Sequence, residues 1–132
     1  MGKEVATHLD TTLGRHITTK FNDGEISIQV LDRVRGHNVY IIKSFENKNI
    51  DDGLMELILA VSCMKKSGAE KVTAIVPFFP YSTITSAASQ EINEGYDFHT
   101  CFAADIVKML EAVGCDEIIT LNSLISAPKG FT

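Results

Sequence analysis

A gapless internal repeat constrains this chain more than any other feature. Met64 to Ile75 (MKKSGAEKVTAI) aligns with Leu110 to Leu121 (LEAVGCDEIITL), so that Gly68 meets Gly114, Ala69 meets Cys115, Glu70 meets Asp116 and Val72 meets Ile118. Each copy reads as a helix end, a glycine stop, a small residue, an acid and a buried strand, which is the αβ half of a βαβ crossover. Two such halves predict an α/β fold with a mainly parallel sheet and helices on both faces. With 132 residues, 45% of them apolar, the chain has material for one such core, so residues 1–132 are read as a single domain.

Upstream of the repeat the pattern changes to a period of two. Ile26, Ile28 and Val30 interleave with Glu25, Ser27 and Gln29, the mark of a strand with one wet face. Arg15 to Phe21 is a second strand candidate, and Asn22-Asp23-Gly24 between them has the turn chemistry of a β-hairpin. Asn38 to Lys43 is continuously apolar and β-branched, which suits a strand covered on both faces. Leu54, Leu57, Ile58, Val61 and Met64 recur at helical spacing, preceded by Asn49 to Asp52 as caps and first-turn acids and followed by Lys65, Lys66 and Gly68. Residues 81–98 lose all periodicity and read as a long surface loop. Asp97 then caps a last helix, whose inner face is expected to include Phe102, Ile106, Met109, Leu110 and Val113.

Charge and cysteine usage narrow the function classes. Twelve basic residues against seventeen acidic leave a net charge of −5, which argues against a broad basic face for nucleic acid. Apolar stretches fall short of the roughly 20 residues needed to span a bilayer. The N-terminus has no apolar signal region, so a cytoplasmic protein without membrane partners is expected. Cys63, Cys101 and Cys115 are odd in number and widely spaced, and read as reduced packing thiols.

Histidines invite a metal reading, but His8, His16 and His37 lie in separate segments, and His99 has only Cys101 nearby, at a spacing that separates them on a helix. Asp51 and Asp52 could hold a hydrated cation, yet capping the following helix accounts for both. No glycine-rich phosphate loop occurs, and from Val72 through Val107 there is no Lys or Arg. An anion held there would depend on backbone N–H groups and hydroxyls.

Four blocks, in order, resemble the N-terminal half of the ribose-phosphate pyrophosphokinase (PRPP synthetase) family. They are Phe21-Asn-Asp-Gly-Glu25, Val34-Arg-Gly-His-Asn-Val-Tyr-Ile-Ile42, Asp52-Gly-Leu-Met-Glu-Leu57 and Thr73-Ala-Ile-Val-Pro-Phe-Phe-Pro-Tyr81, with a looser match from Gly114 to Phe131. The resemblance implies a phosphoribosyltransferase-type domain from an enzyme that moves the diphosphoryl group of ATP to ribose 5-phosphate with Mg²⁺. It also implies that Phe21, Asp23 and Glu25 reach into a neighbouring subunit's ATP site, the ring stacking on adenine and the acids accepting from its amino edge. Self-association, or association with other family members, follows from the same likeness. Taken without the other blocks, these residues would read as a plain hairpin turn, with Phe21 in the core and Asp23 in an Asx turn.

The departures from the family pattern bear on chemistry. Where the family follows its Pro-Tyr with a basic ATP-gripping run, Tyr81 is followed by Ser82-Thr-Ile-Thr-Ser86. The family's Asp-Leu-His falls on Asn122-Ser123-Leu124, and leucine neither ligates nor transfers a proton. No catalytic residue is therefore assigned, and the catalytic C-terminal half is expected to be absent from this polypeptide, so that ATP and Mg²⁺ are not expected to be held by it alone. Two readings follow: a domain or fragment of a divergent diphosphokinase, inactive alone, or a non-catalytic subunit that assembles with active ones. An unrelated α/β binding module would require the ordered blocks to be coincidence.

Overall fold

The computed structural model describes residues 1–45, 49–81 and 102–121. Its elements are α1 (Gly2–His8), β1 (His16–Lys20), β2 (Ile26–Val30), β3 (Asn38–Ile42), α2 (Ile50–Lys66), β4 (Lys71–Ile75), α3 (Phe102–Ala112) and β5 (Glu117–Ile119). β1 and β2 form an antiparallel hairpin with Thr18 opposite Ile28, and β3-β4-β5 form a parallel sheet in that order. Thr73 at the centre of β4 pairs with Tyr40 on one side and Glu117 on the other. The α/β class, the parallel sheet and the antiparallel hairpin therefore agree with the sequence reading.

The repeat is structural as well as textual. α2 and α3 end at the aligned residues Lys66 and Ala112, and β4 and β5 begin at the aligned residues Lys71 and Glu117. Gly68 and Gly114 both take left-handed backbone, at φ +88° and +103°, a conformation open to glycine at little steric cost. The following amide then bonds back into the helix in each copy: Ala69 to the Met64 carbonyl at 3.1 Å, Cys115 to the Leu110 carbonyl at 2.9 Å. Ala69 and Cys115 are both buried, where the tight junction admits small side chains. Burial also pushes the Cys115 thiol above its ordinary range.

Two parallel crossovers that step the same way along the sheet, both right-handed, carry their helices over the same face. Leu57 and Val61 from α2, Ile106 and Leu110 from α3, and Val72, Ala74 and Val76 from β4 accordingly share one buried cluster. Full burial of such a side chain stabilises by roughly 1.5–3 kcal/mol. The inner face of α3 is Ala103, Ile106 and Leu110; Phe102 and Met109, expected inside, are exposed. They sit roughly 70° and 90° of helix rotation from the stripe's centre, on its same edge, which a 3.6-residue period leaves outside a narrow contact. β3 also departs from expectation. Tyr40 is 62% exposed, because among the described residues β3 is an edge strand, whereas its partner Thr73 on the central strand is 2% exposed.

α1 has too few apolar positions to show a period, and sequence reading missed it. The expected loop beyond Tyr81, the Asp97 cap, His99, Cys101, Asn122, Leu124 and the closing Gly130-Phe131 lie outside the described residues. Among the described residues no helix is long and apolar enough to cross a membrane, and no three His, Cys, Asp or Glu side chains are grouped as metal ligands.

Candidate functional site

The carboxyl ends of parallel strands are where open α/β sheets bind ligands. In this chain that edge is formed by the exits of β3 and β4, the first turn of α2 and the tip of the hairpin. The hairpin lies along α2: Ile26, Ile28 and Val30 are the half-buried side of β2, and the Cys63 thiol near the far end of the helix faces the Ile28 carbonyl at 4.0 Å. At the near end Lys20, the last residue of β1, pairs with Asp52 in the first turn of α2. The tip residues that follow Lys20 are thereby carried to the carboxyl edge.

The tip's own geometry is local. Gly24 N–H donates to the Phe21 carbonyl at 3.0 Å, and Phe21 N–H donates to the Glu25 carbonyl at 2.8 Å. Gly24 sits at φ +94°, the left-handed position of a turn followed by a one-residue bulge. One Asp23 carboxylate oxygen accepts from the Glu25 N–H at 3.1 Å, closing an Asx turn. Asp23 thus has the turn role expected of a plain hairpin. Phe21 does not have the core role: its ring is 52% exposed. An aromatic ring in water, flanked by two exposed carboxylates, is an uncommon thing for a tight turn to present.

The acids at the start of α2 do something other than capping. Asn49 is the N-cap, without a side-chain bond to the helix. Asp52 goes to Lys20, and Asp51 accepts from the Tyr81 hydroxyl, which pushes that phenol above its ordinary range because the bond holds the proton in place. Tyr81 itself is at φ +59°, a strained conformation for an aromatic residue. At the exit of β3, Lys43 pairs with Glu56 one turn further along α2. Gly53 between these acids leaves room for the Phe45 ring: an added Cβ would lie 3.1 Å from it.

The structure therefore gathers Lys20, Phe21, Asp51, Asp52, Glu56, Lys43 and Tyr81 at one end of the molecule. Sequence reading found Phe21, Asp23 and Glu25 but missed Lys43, Glu56 and the contacts of Asp51 and Asp52, whose partners stand 13 to 32 residues away with no periodic signal. Both lysines at this edge are matched to carboxylates, so the described part of the edge offers a nucleotide's phosphates no unmatched lysine.

Comparison with known proteins follows this geometry closely. A family model described as the N-terminal domain of ribose phosphate pyrophosphokinase matches residues 1–114. The ribose-phosphate pyrophosphokinase of Helicobacter pylori (strain ATCC 700392 / 26695) is 32% identical over 130 residues, 98% of this chain and 38% of that enzyme. Ribose-phosphate pyrophosphokinase B of Dictyostelium discoideum is 32% identical over 131 residues, 99% of this chain and 38% of its own length. The crystal structure of phosphoribosylpyrophosphate synthetase from Mycobacterium smegmatis superposes with a TM-score of 0.78 at 24% identity, covering 89% of this chain and 37% of that one, which shows a shared fold. The chain spans well under half the length of the curated relatives it matches. With the hairpin and the four ordered blocks all falling within the residues that one family model matches, the chain belongs to the ribose-phosphate pyrophosphokinase family, whose N-terminal domain it matches.

Proposed function

We propose that this chain serves as the N-terminal, adenine-contacting part of a ribose-phosphate diphosphokinase assembly and does not complete the reaction alone. The reaction is transfer of the diphosphoryl group of ATP, with Mg²⁺, to the anomeric hydroxyl of ribose 5-phosphate. The observation that carries the reading is the hairpin tip, where a half-exposed Phe21 shares one tight turn with the exposed Asp23 and Glu25. Stacking needs a free aromatic face, and an adenine amino group needs acceptors. Asp23 has one carboxylate oxygen occupied by the turn and keeps the other for a ligand. The same negative charges disfavour phosphates, so a nucleotide meets this tip base-first. An exposed tip is suited to a site on a neighbouring subunit, which supports assembly with copies of itself or with other family members.

A second reading, a non-catalytic subunit that modulates active ones, is favoured by a specific observation. The segment from Val72 to Val107 has no Lys or Arg, Ser82-Thr-Ile-Thr-Ser86 follows Tyr81, and Leu124 stands where the family has histidine. Phosphoryl transfer relies on cationic clamps for developing charge. One set of measurements tests both readings: PRPP formation by the chain alone, ATP calorimetry with and without Mg²⁺, and co-elution with an active family enzyme while its rate is followed. No turnover alone is expected, and in the mixture with the active enzyme ATP binding is expected to weaken with Phe21→Ala. Turnover by the isolated 132 residues would overturn the inactive-alone reading. No association and no rate change would remove the modulating subunit.

A further inference from the structure

We propose that Lys20 and Asp52 form a positioning pair, which fixes the direction of the hairpin tip by tying it to the first turn of α2. The inference rests on the reading of Phe21 as a nucleotide contact and deepens it. It starts from how little else holds the tip. Every residue of β1 is exposed, and β2 touches α2 through Ile26, Ile28 and Val30, aliphatic contacts that resist separation but are not directional. Beyond Ile26 the tip's own bonds, Phe21 to Glu25 and Gly24 to Phe21, are internal to the turn and leave it free to swing as a unit. The Lys20 ammonium, adjacent in sequence to Phe21, is the tip's charged contact with another element, and it meets Asp52.

Helix α2 is a sound anchor for such a tie. Its N-terminus carries partial positive charge, which suits an acidic residue such as Asp52 in the first turn, and Asp51 beside it is held by Tyr81 from the exit of β4. One helical turn thus sets the hairpin tip and the β4 exit in a common frame. Both side chains of the pair are partly exposed, so the pair adds little to stability, and its effect is one of orientation. A stacking ring depends on orientation, because ring planes must meet within a narrow range of angle and distance.

The chain has no tryptophan, so Phe21→Trp places a single reporter at the tip. The test measures the fluorescence anisotropy of that variant and its quenching by ATP, with the chain alone and mixed with an active family enzyme. The tryptophan-free wild-type chain in the same mixture is the blank. Adding Lys20→Gln or Asp52→Asn is expected to lower the anisotropy and raise the half-quenching ATP concentration by up to about fivefold, the equilibrium factor of an exposed ion pair. Lys20→Arg, or the exchange Lys20→Asp with Asp52→Lys, is expected to restore both, while the melting temperature stays near that of Phe21→Trp throughout. Anisotropy unmoved by Lys20→Gln and Asp52→Asn would overturn the pair's role, whatever ATP does. Anisotropy that responds as expected, with no quenching by ATP in any background, would overturn the adenine contact and leave the pair's hold on the tip standing.

Discussion

In the hairpin no strand residue is fully buried, and charged contacts stand at both ends, Arg15 with Asp32 at the base and Lys20 with Asp52 at the tip. In the parallel unit Val61, Val72, Ala74, Val76, Ala103 and Leu110 are sealed from solvent altogether. The two regions are joined through one helix, whose inner side builds the core and whose first turn holds the hairpin. The difference teaches where the fold's free energy and its chemistry reside. Apolar burial is non-directional and large, and it holds the sheet together. Surface polar contacts are small and directional, and they aim the tip.

The sharpest way to break that contrast is to truncate an aliphatic residue in each region. Leu110→Ala, at a fully buried position, is expected to cost roughly 2–5 kcal/mol by urea denaturation. Ile28→Ala, half-buried between hairpin and α2, is expected to cost about 1–2 kcal/mol. Equal losses would mean that the hairpin is as much a part of the core as the sheet is.

Glycines in the two regions make a second pair. Gly114 and Gly24 are both left-handed, at φ +103° and +94°. A Cβ at Gly114 would lie 2.6 Å from the Lys65 Cγ, whereas at Gly24 nothing stands within 4 Å. Both alanine variants suffer backbone strain of about 1–2 kcal/mol, and Gly114→Ala must also displace Lys65, for about 2–4 kcal/mol in all. Lys65 cannot swing aside without a further loss, since its ammonium is 2.7 Å from Asp116. Thermal melts that rank Gly24→Ala as the more damaging would show the turn, and not the helix stop, to be the sterically closed site.

Much of this contrast was legible in the sequence. The 12-residue repeat located both helix stops and both strand starts, because Gly, a small residue and an acid in fixed order reflect local backbone geometry. The alternation of Ile26, Ile28 and Val30 gave the hairpin for the same reason. What escaped depends on distant partners. Asp51 and Asp52 look like caps until Tyr81 and Lys20 arrive from elsewhere in the chain. Tyr40 looks buried because β-branched neighbours surround it in sequence, whereas its exposure is set by the sheet edge. Phe21 was legible as a residue type but not as an exposed ring, since a turn aromatic can fold inward or outward with the same backbone.

Acid titration distinguishes the regions next. Asp116, which follows the stop of α3, is held below the ordinary carboxylate range of about 3.8 by the Lys65 ammonium first and the Val72 N–H second. A carboxylate depressed in the folded state contributes stability that is present above its unfolded value and is lost as pH falls through the folded one. Wild-type protein is therefore expected to lose melting temperature more steeply than Asp116→Asn below about pH 4. The asparagine keeps an oxygen for the Val72 N–H and forgoes the ion pair. Its aligned counterpart Glu70 is exposed and its side chain has no such bond among the described residues. Parallel limbs for wild type and Asp116→Asn would show that the Lys65 pair has no weight in the parallel unit.

The smallest effect is expected at the base of the hairpin. The Asp32 carboxylate accepts from the Arg15 backbone N–H at 2.6 Å and from its guanidinium at 2.9 and 2.7 Å, and these bonds hold it below the ordinary carboxylate range. Arg15→Gln removes the guanidinium but not the backbone donor, so the junction between the start of β1 and Asp32, two residues beyond β2, keeps its geometry. The pair is in open solvent, where counterions compete for both partners. A slight drop in melting temperature at low salt is expected, vanishing as salt is raised, because screening has by then removed in the wild type what the substitution removes in the variant. If Arg15→Gln instead lowered the melting temperature as much as Gly24→Ala, and did so undiminished in high salt, the bond would be a shielded structural contact. The hairpin would then owe its place to more than half-buried aliphatics and directional surface pairs, and the division between a core that stabilises and an arm that orients would have to be redrawn at Asp32.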